Sequence, residues 1–224
     1  MMADLTPEEE ESIARAARRY YGADPAHGWD HVLAVVAVVK RIAEELGADA
    51  RVAVASAYFH DAAPRGKAGH RTHSEASASI AREELLRLGW SEEEIQKVAQ
   101  TIVEASYESH LSGSGPRSPE AQALREADLL DAVGARGIAR AFAFAAFYGS
   151  PEGLGVLDWD PENPPDLQMN PDGPDPSAIY HFASKLLKLK ILFVSETGRK
   201  LAEGRHRFMV EFLKRYGAEM RGEV

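Results

Sequence analysis

The chain of 224 residues has no cysteine. That excludes a disulfide scaffold, a cysteine nucleophile, a thiolate zinc site and an iron–sulfur cluster. No run of about 18 apolar residues exists either, the minimum for a membrane span. The longest smooth stretch, Val32 to Val39, is flanked by Asp30–His31 and Lys40–Arg41. Basic residues are in deficit: 26 Lys and Arg against 35 Asp and Glu give a net charge of −9. An acidic chain is poorly suited to gripping a nucleic-acid backbone over a broad face. No nucleic-acid and no membrane partner is therefore expected. The opening segment, MMADLTPEEEE, is acidic and unlike a signal peptide, so the expected location is cytoplasmic. No stretch alternates with the period of two that marks a strand.

Hydrophobic residues at 45% and charged residues at 27% are ordinary for a soluble globular protein, and the length suffices to bury a sizeable core. The charge is uneven. Residues 181–224 hold ten Lys and Arg against five Glu, a balance of +5, which leaves −14 for residues 1–180. An anionic substrate would need the basic tail or a metal to offset that field.

The pattern is helical nearly throughout. Thr6-Pro7-Glu8-Glu9 opens a helix with a capping threonine, a first-turn proline and a glutamate three residues on. Asp30 is read as the cap of a second helix bearing Val32, Val35, Val36, Val39 and Ile42, which Gly47 ends. A third is expected from Asp49 to about His60, and a fourth from Ser74 or Glu75. Ser91-Glu92-Glu93-Glu94 is a second capping box, followed by Ile95, Val98, Ala99, Ile102 and Val103 on one face. Residues HLSGSGPRSP read as loop, Ser118-Pro119 opens the next helix, and Ile138 to Tyr148 follows after Gly134 and Gly137, which weaken the segment. Residues 149–176 are crowded with Pro, Gly, Asp and Asn: a candidate lid or a disordered surface insertion. Two helices, about Ser177 to Glu196 and Gly198 to Tyr216, close the chain. The expectation is one all-α domain over 1–224, a bundle of eight to nine helices with a long Pro/Gly-rich loop.

Four residues stand out chemically. His60-Asp61 ends an apolar helix just before Pro64 and Gly66. By itself the dipeptide could be an exposed turn. His31, four residues after His27, opens an apolar helix, where a buried imidazole needs a partner; capping a neighbouring helix would also satisfy it. Leu124, Asp128 and Asp131 share a helix face, and two buried carboxylates there call for a cation. That cation is a metal or an arginine such as Arg136 or Arg140. Together His31, His60, Asp61 and Asp128 form a set of two imidazoles and two carboxylates. Such a shell suits Mn, Fe, Co, Ni or Zn better than Mg or Ca.

The order His … His-Asp … Asp on a helical chain resembles the HD superfamily of metal-dependent phosphohydrolases. His27-Gly28-Trp29-Asp30-His31 is similar to its H-x-W-x-H opening, and Ala57 to Asp61 to its apolar His-Asp segment. Glu126 to Arg140, His181-Phe182 with Lys185-Leu186-Leu187 and Lys190, and Thr197 to Met209 resemble its later motifs. The resemblance runs from about Ile13 to Glu219. It points to small bacterial proteins that cleave (deoxy)nucleoside triphosphates to monophosphate and pyrophosphate.

The resemblance implies one divalent transition metal, manganese foremost and iron, nickel, cobalt or zinc otherwise, held by His31, His60, Asp61 and Asp128. Catalytic roles fall to Asp61 and to His27, the latter as an acid, a substrate-orienting group or a support for His31. Lys185 and Lys190, with Arg140 third, are the candidate phosphate contacts; lysines on helices are more often simply solvated. Asp131 is expected as a hydrogen-bond partner of a ligand or of Arg136. Trp29 is expected as a buried aromatic rather than a base-stacking platform. Departures fall at Pro64, where relatives carry a carboxylate, at Leu129, where they carry arginine, and at Ala105, where some carry a histidine for a second metal. His70 and His73 are read as loop residues near the site entrance. The implied partner is a phosphorylated small molecule, a nucleotide. The competing readings are a phosphomonoesterase acting on nucleoside monophosphates and a nucleotide-binding module that has lost catalysis.

Overall fold

Thr6 starts the first helix as its sequence predicts: the Thr6 hydroxyl accepts from the Glu9 backbone N–H while the Glu9 carboxylate accepts from the Thr6 N–H. In this computed structural model, residues 5–22, 24–64, 72–170 and 173–224 are described. Among them are ten α-helices, one 3-10 helix and no strand. None of these helices is long and apolar enough to cross a membrane. The chain divides into two compact units, Met1–Asp128 and Leu129–Val224.

The first unit contains α1 (Pro7–Arg18), α2 (Trp29–Leu46), α3 (Ala50–Phe59), α4 (His73–Arg87), α5 (Glu92–Ala105), α6 (Tyr107–Leu111) and most of α7 (Pro119–Asp131). α3 is its centre. Every residue from Val52 to Phe59 is buried, as expected of a helix that is apolar all round, and it packs against α1, α2, α4 and α5. The Asp49 carboxylate caps it by accepting from the Arg51 and Val52 N–H groups. α2 ends at Gly47 in the left-handed conformation, φ 65°.

Two helix starts differ from the expectation. The cap of α2 is Gly28, and Asp30 lies inside the first turn. A Cβ at Gly28 would stand 3.0 Å from both the Asp24 carbonyl and Asp30 Oδ1, so the tight turn leaves no room for a capping side chain. α4 is capped by Thr72, two residues earlier than predicted, in a reciprocal box with Glu75. His110 and Leu111, expected in a loop, finish the short helix α6.

The second unit continues through α8 (Gly134–Tyr148), α9 (Ala178–Ser184), a 3-10 helix (Leu186–Leu192) and α10 (Glu196–Met220). Gly134 and Gly137 are needed at the start of α8 rather than merely weakening it. Gly134 has φ +78°, and a Cβ there would meet the Arg205 side chain at 2.9 Å; one at Gly137 would meet the Ala132 carbonyl at 2.3 Å. The single helix expected over Ser177 to Glu196 is broken at Lys185, with φ −136° and ψ −63°. Just before the break, the Ser184 hydroxyl and His181 Nδ1 both turn to Asp175, and a 3-10 turn follows.

The long segment 149–176 has no regular element among its described residues, yet it is firmly tied within this unit. The Ala178 and Ile179 N–H groups donate to the Gly153 and Leu154 carbonyls at 3.1 and 2.9 Å. Tyr216 donates to the Gly155 carbonyl. Asp175, 6% exposed, accepts from His181 Nδ1 at 2.7 Å, Ser184 Oγ at 2.6 Å and the Asn170 N–H at 2.7 Å.

Candidate metal centre

His31 enters from the first turn of α2, His60 and Asp61 from the end of α3, and Asp128 from α7. His31 Nε2 lies 3.0 Å from His60 Nε2, 3.7 Å from Asp61 Oδ2 and 3.5 Å from Asp128 Oδ1. His60 Nε2 lies 4.0 Å from Asp61 Oδ2 and 3.9 Å from Asp128 Oδ1. Donors bonded to one ion at about 2.0–2.2 Å stand roughly 3.0–3.5 Å apart for angles between 90° and 110°. The His31–His60 and His31–Asp128 separations fall in that range, and the other three exceed it by 0.2 to 0.5 Å. Two nitrogens and two carboxylate oxygens are also the right donors for a divalent transition metal. His31, His60 and Asp128 each offer a ligand atom within 4.8 Å of the others and could hold an ion; Asp61, the fourth predicted ligand, is not in that group.

The ring orientations are fixed from behind. His60 Nδ1 is 2.8 Å from the Ala57 carbonyl. A carbonyl only accepts, so Nδ1 carries the proton and Nε2 presents its lone pair to the centre. His31 and His60 are buried, and Asp61 nearly so, whereas the Asp128 side chain is 35% exposed; that carboxylate is the open edge. Around the Asp61 side, Tyr21 donates to the Tyr58 carbonyl at 2.8 Å. Burial, with the Asp61 charge added, pushes the Tyr21 hydroxyl well above its ordinary pKa. Trp29 is half-buried and stacks on Tyr58 with ring centroids 5.9 Å apart, under the Arg18 guanidinium.

His27 stands beside this set, its ring edge-on to His31 with centroids 6.3 Å apart. Its Nδ1 is 3.1 Å from Asp24 Oδ2, and Asp24 Oδ1 accepts from the Ala26 and His27 N–H groups. Asp24 was not singled out from the sequence; the Asp-x-x-His spacing was the available signal. His73 is corrected from a loop residue to the first residue of α4. Its Nε2 is 2.7 Å from the Ala63 carbonyl and its Nδ1 is 3.6 Å from Asp61 Oδ1. His70 lies outside the described residues. Ala105 is buried at the end of α5.

The remaining predicted residues belong to the second unit. Asp131, 2% exposed, is bound by Arg136 Nε and by Arg140 Nη1, the latter at 3.2 Å. Arg140, a predicted phosphate contact, is thus already paired with a carboxylate. Lys185 caps the end of α9. Lys190 is exposed, with Nζ 3.4 Å from His206 Nε2.

The HD domain family model matches residues 28–133, which span all four centre residues. The chain is 32% identical over 197 residues to YpgQ of Bacillus subtilis, an uncharacterized protein, covering 88% of this chain and 85% of YpgQ. A crystal structure from Lactobacillus plantarum superposes with a TM-score of 0.77 at 26% identity, covering 98% of this chain and all of that one. YpgQ in complex with ADP gives 0.68 at 27% identity, covering 96% and 100%. An HD-superfamily hydrolase of Bacillus thuringiensis gives 0.66 at 27%, covering 96% and 97%. The chain belongs to the HD superfamily.

Proposed function

We propose that the protein is a metal-dependent phosphohydrolase that cleaves nucleoside triphosphates to monophosphate and pyrophosphate. The observation that carries this reading is the convergence of His31 Nε2, His60 Nε2, Asp61 Oδ2 and Asp128 Oδ1, with nitrogen–nitrogen and nitrogen–oxygen separations between 3.0 and 4.0 Å. These four residues would hold one divalent transition metal, manganese foremost. When bound, the ion supplies Lewis acidity toward water and toward a phosphoryl oxygen.

The chain's own groups do the rest. The Ala57 carbonyl holds the His60 ring in its donor tautomer. Asp24 holds His27, which serves as a proton donor to the leaving group or as a support for His31. Lys185 and Lys190 remain the groups we propose as positive charge for the phosphate oxygens. Arg140 contributes less, because Asp131 already neutralises part of its charge. The ADP bound to the relative YpgQ supports a nucleotide as the ligand.

The test is a product assay. Protein stripped of metal and reloaded with Mn2+ is incubated with dNTPs, NTPs and dNMPs, and pyrophosphate and orthophosphate are read separately. Pyrophosphate release that disappears in His60→Ala supports the reading. Orthophosphate from monophosphates would replace it with a phosphomonoesterase. Silence on every substrate with Mn2+ bound would replace it with a binding module.

A further inference from the structure

Arg125 lies on α7 one turn before Asp128 and is 6% exposed. Its guanidinium donates from Nε to the Ala105 carbonyl at 3.3 Å and from Nη2 to the Ser106 carbonyl at 3.1 Å. Those carbonyls belong to the C-terminal end of α5, where helical partners run out and the dipole is negative. Its third nitrogen, Nη1, stands 3.3 Å from where a Cβ of Gly115 would lie, so the connection into α7 passes close to the guanidinium. Burial pulls the Arg125 pKa down, and the charges of Asp128 and Tyr107 oppose that pull. The same positive charge, after burial, depresses His110 on α6.

This placement joins two parts of the centre. α5 packs against α3, whose end carries His60 and Asp61, while α7 carries Asp128. Asp128 is the most exposed of the four donors and so the least fixed by its own burial. A buried guanidinium one turn away, bonded to the end of α5, supplies what that exposure lacks. Arginine suits the task, because its planar fork can serve two carbonyls and stay charged at any working pH.

We propose that Arg125 is a positioning residue for the metal centre, tying α7 to the end of α5 so that the Asp128 carboxylate is held against His31 and His60. The inference rests on the metal-centre reading above.

The experiment measures Mn2+ affinity by electron paramagnetic resonance, with thermal unfolding in parallel, in wild type, Arg125→Met and Arg125→Lys. A purely electrostatic role predicts tighter Mn2+ in Arg125→Met, because a nearby cation has been removed. Positioning predicts the opposite: a Kd raised by about tenfold or more in Arg125→Met, with an intermediate value in Arg125→Lys. Methylguanidinium added to Arg125→Ala should restore affinity. A folded Arg125→Met protein with unchanged or tighter Mn2+ overturns the proposal. If that variant does not fold, an unchanged Kd in Arg125→Lys overturns it instead. Wild type that binds no Mn2+ overturns the metal-centre reading itself, whereas wild type that binds and variants that bind equally well leave that reading standing and remove this one.

Discussion

His31 Nε2 and His60 Nε2 face each other at 3.0 Å across 29 positions of sequence. The start of α2 therefore lies beside the end of α3, and the turn at Gly47 and Asp49 sends the chain back along itself. In the proposed centre these two imidazole nitrogens and the nearby carboxylate oxygens would share one ion, so that each depends on the others. Replacing His60 by Ala should lower retained Mn2+ by at least about tenfold, since metal-site losses are of this order even one shell out. Far-UV circular dichroism should remain that of a helical protein. Metal analysis after dialysis checks this independently of any substrate.

Asp131 is buried between two arginines. Asp131→Asn keeps the shape and removes the charge, leaving Arg136 and Arg140 against a neutral amide. Breaking a buried pair from one side costs about 3–5 kcal/mol, but Arg136 is 43% exposed, so the expected loss is at the lower end, about 3 kcal/mol. Urea unfolding at neutral pH measures it. A loss no larger than that of an exposed Asp→Asn control would show the carboxylate to be dispensable.

Gly137 permits a backbone approach that no other residue allows. A Cβ there would stand 2.3 Å from the Ala132 carbonyl oxygen, with backbone rather than a flexible side chain as the obstacle. Gly137→Ala should destabilise by roughly 1–3 kcal/mol despite the higher helix propensity of alanine. Gly204, on α10 with nothing within 4 Å of its Cβ position, is the control: Gly204→Ala should be neutral or stabilising. Paired thermal melts decide.

Asp175 and His181 give a pH dependence of definite sign. Burial works against the Asp175 carboxylate, but hydrogen bonds from His181, Ser184 and Asn170 outweigh it and hold its pKa below the usual value. Burial depresses His181, more than its bond to Asp175 raises it; Lys185 adds to the depression. Both groups have folded pKa values below their unfolded ones. Their contributions are complete above the unfolded values, about 6.5 for His and about 3.9 for Asp, and are lost as pH falls through the folded ones. Amide protection in segment 150–184, corrected for intrinsic exchange, should decline below about pH 6.5 and again below about pH 4. Asp175→Asn should lower protection already at pH 7, by about 2 kcal/mol. Equal protection in variant and wild type would remove Asp175 as the anchor of this segment.

The sequence by itself determined the helical class and most helix starts and stops, and it offered the candidate residues of the proposed centre. Caps such as Thr6–Glu9 and Ser91–Glu94, the left-handed Gly47 and the apolar helix faces act over one or two turns, so they are legible in a linear string. Where a helix was misjudged, side-chain and backbone contacts just outside it were at work: the turn from Asp24 to Asp30 leaves room only for glycine as the cap of α2, and Asp175 draws Ser184 and His181 at the point where α9 stops. The four candidate ligands were legible as residue types in order, but not the 3.0–4.0 Å that separates the two histidines from each other and from the carboxylates, which arises because α2, α3 and α7 bring residues distant in the chain together. Tertiary structure alone also sorted the two aspartates of α7. They sit three residues apart on one helix, yet Asp128 joins the histidines and Asp131 takes the arginines. A carboxylate's partner is set by which side chains surround it in space, and neither the spacing nor the charge count of the chain contains that information.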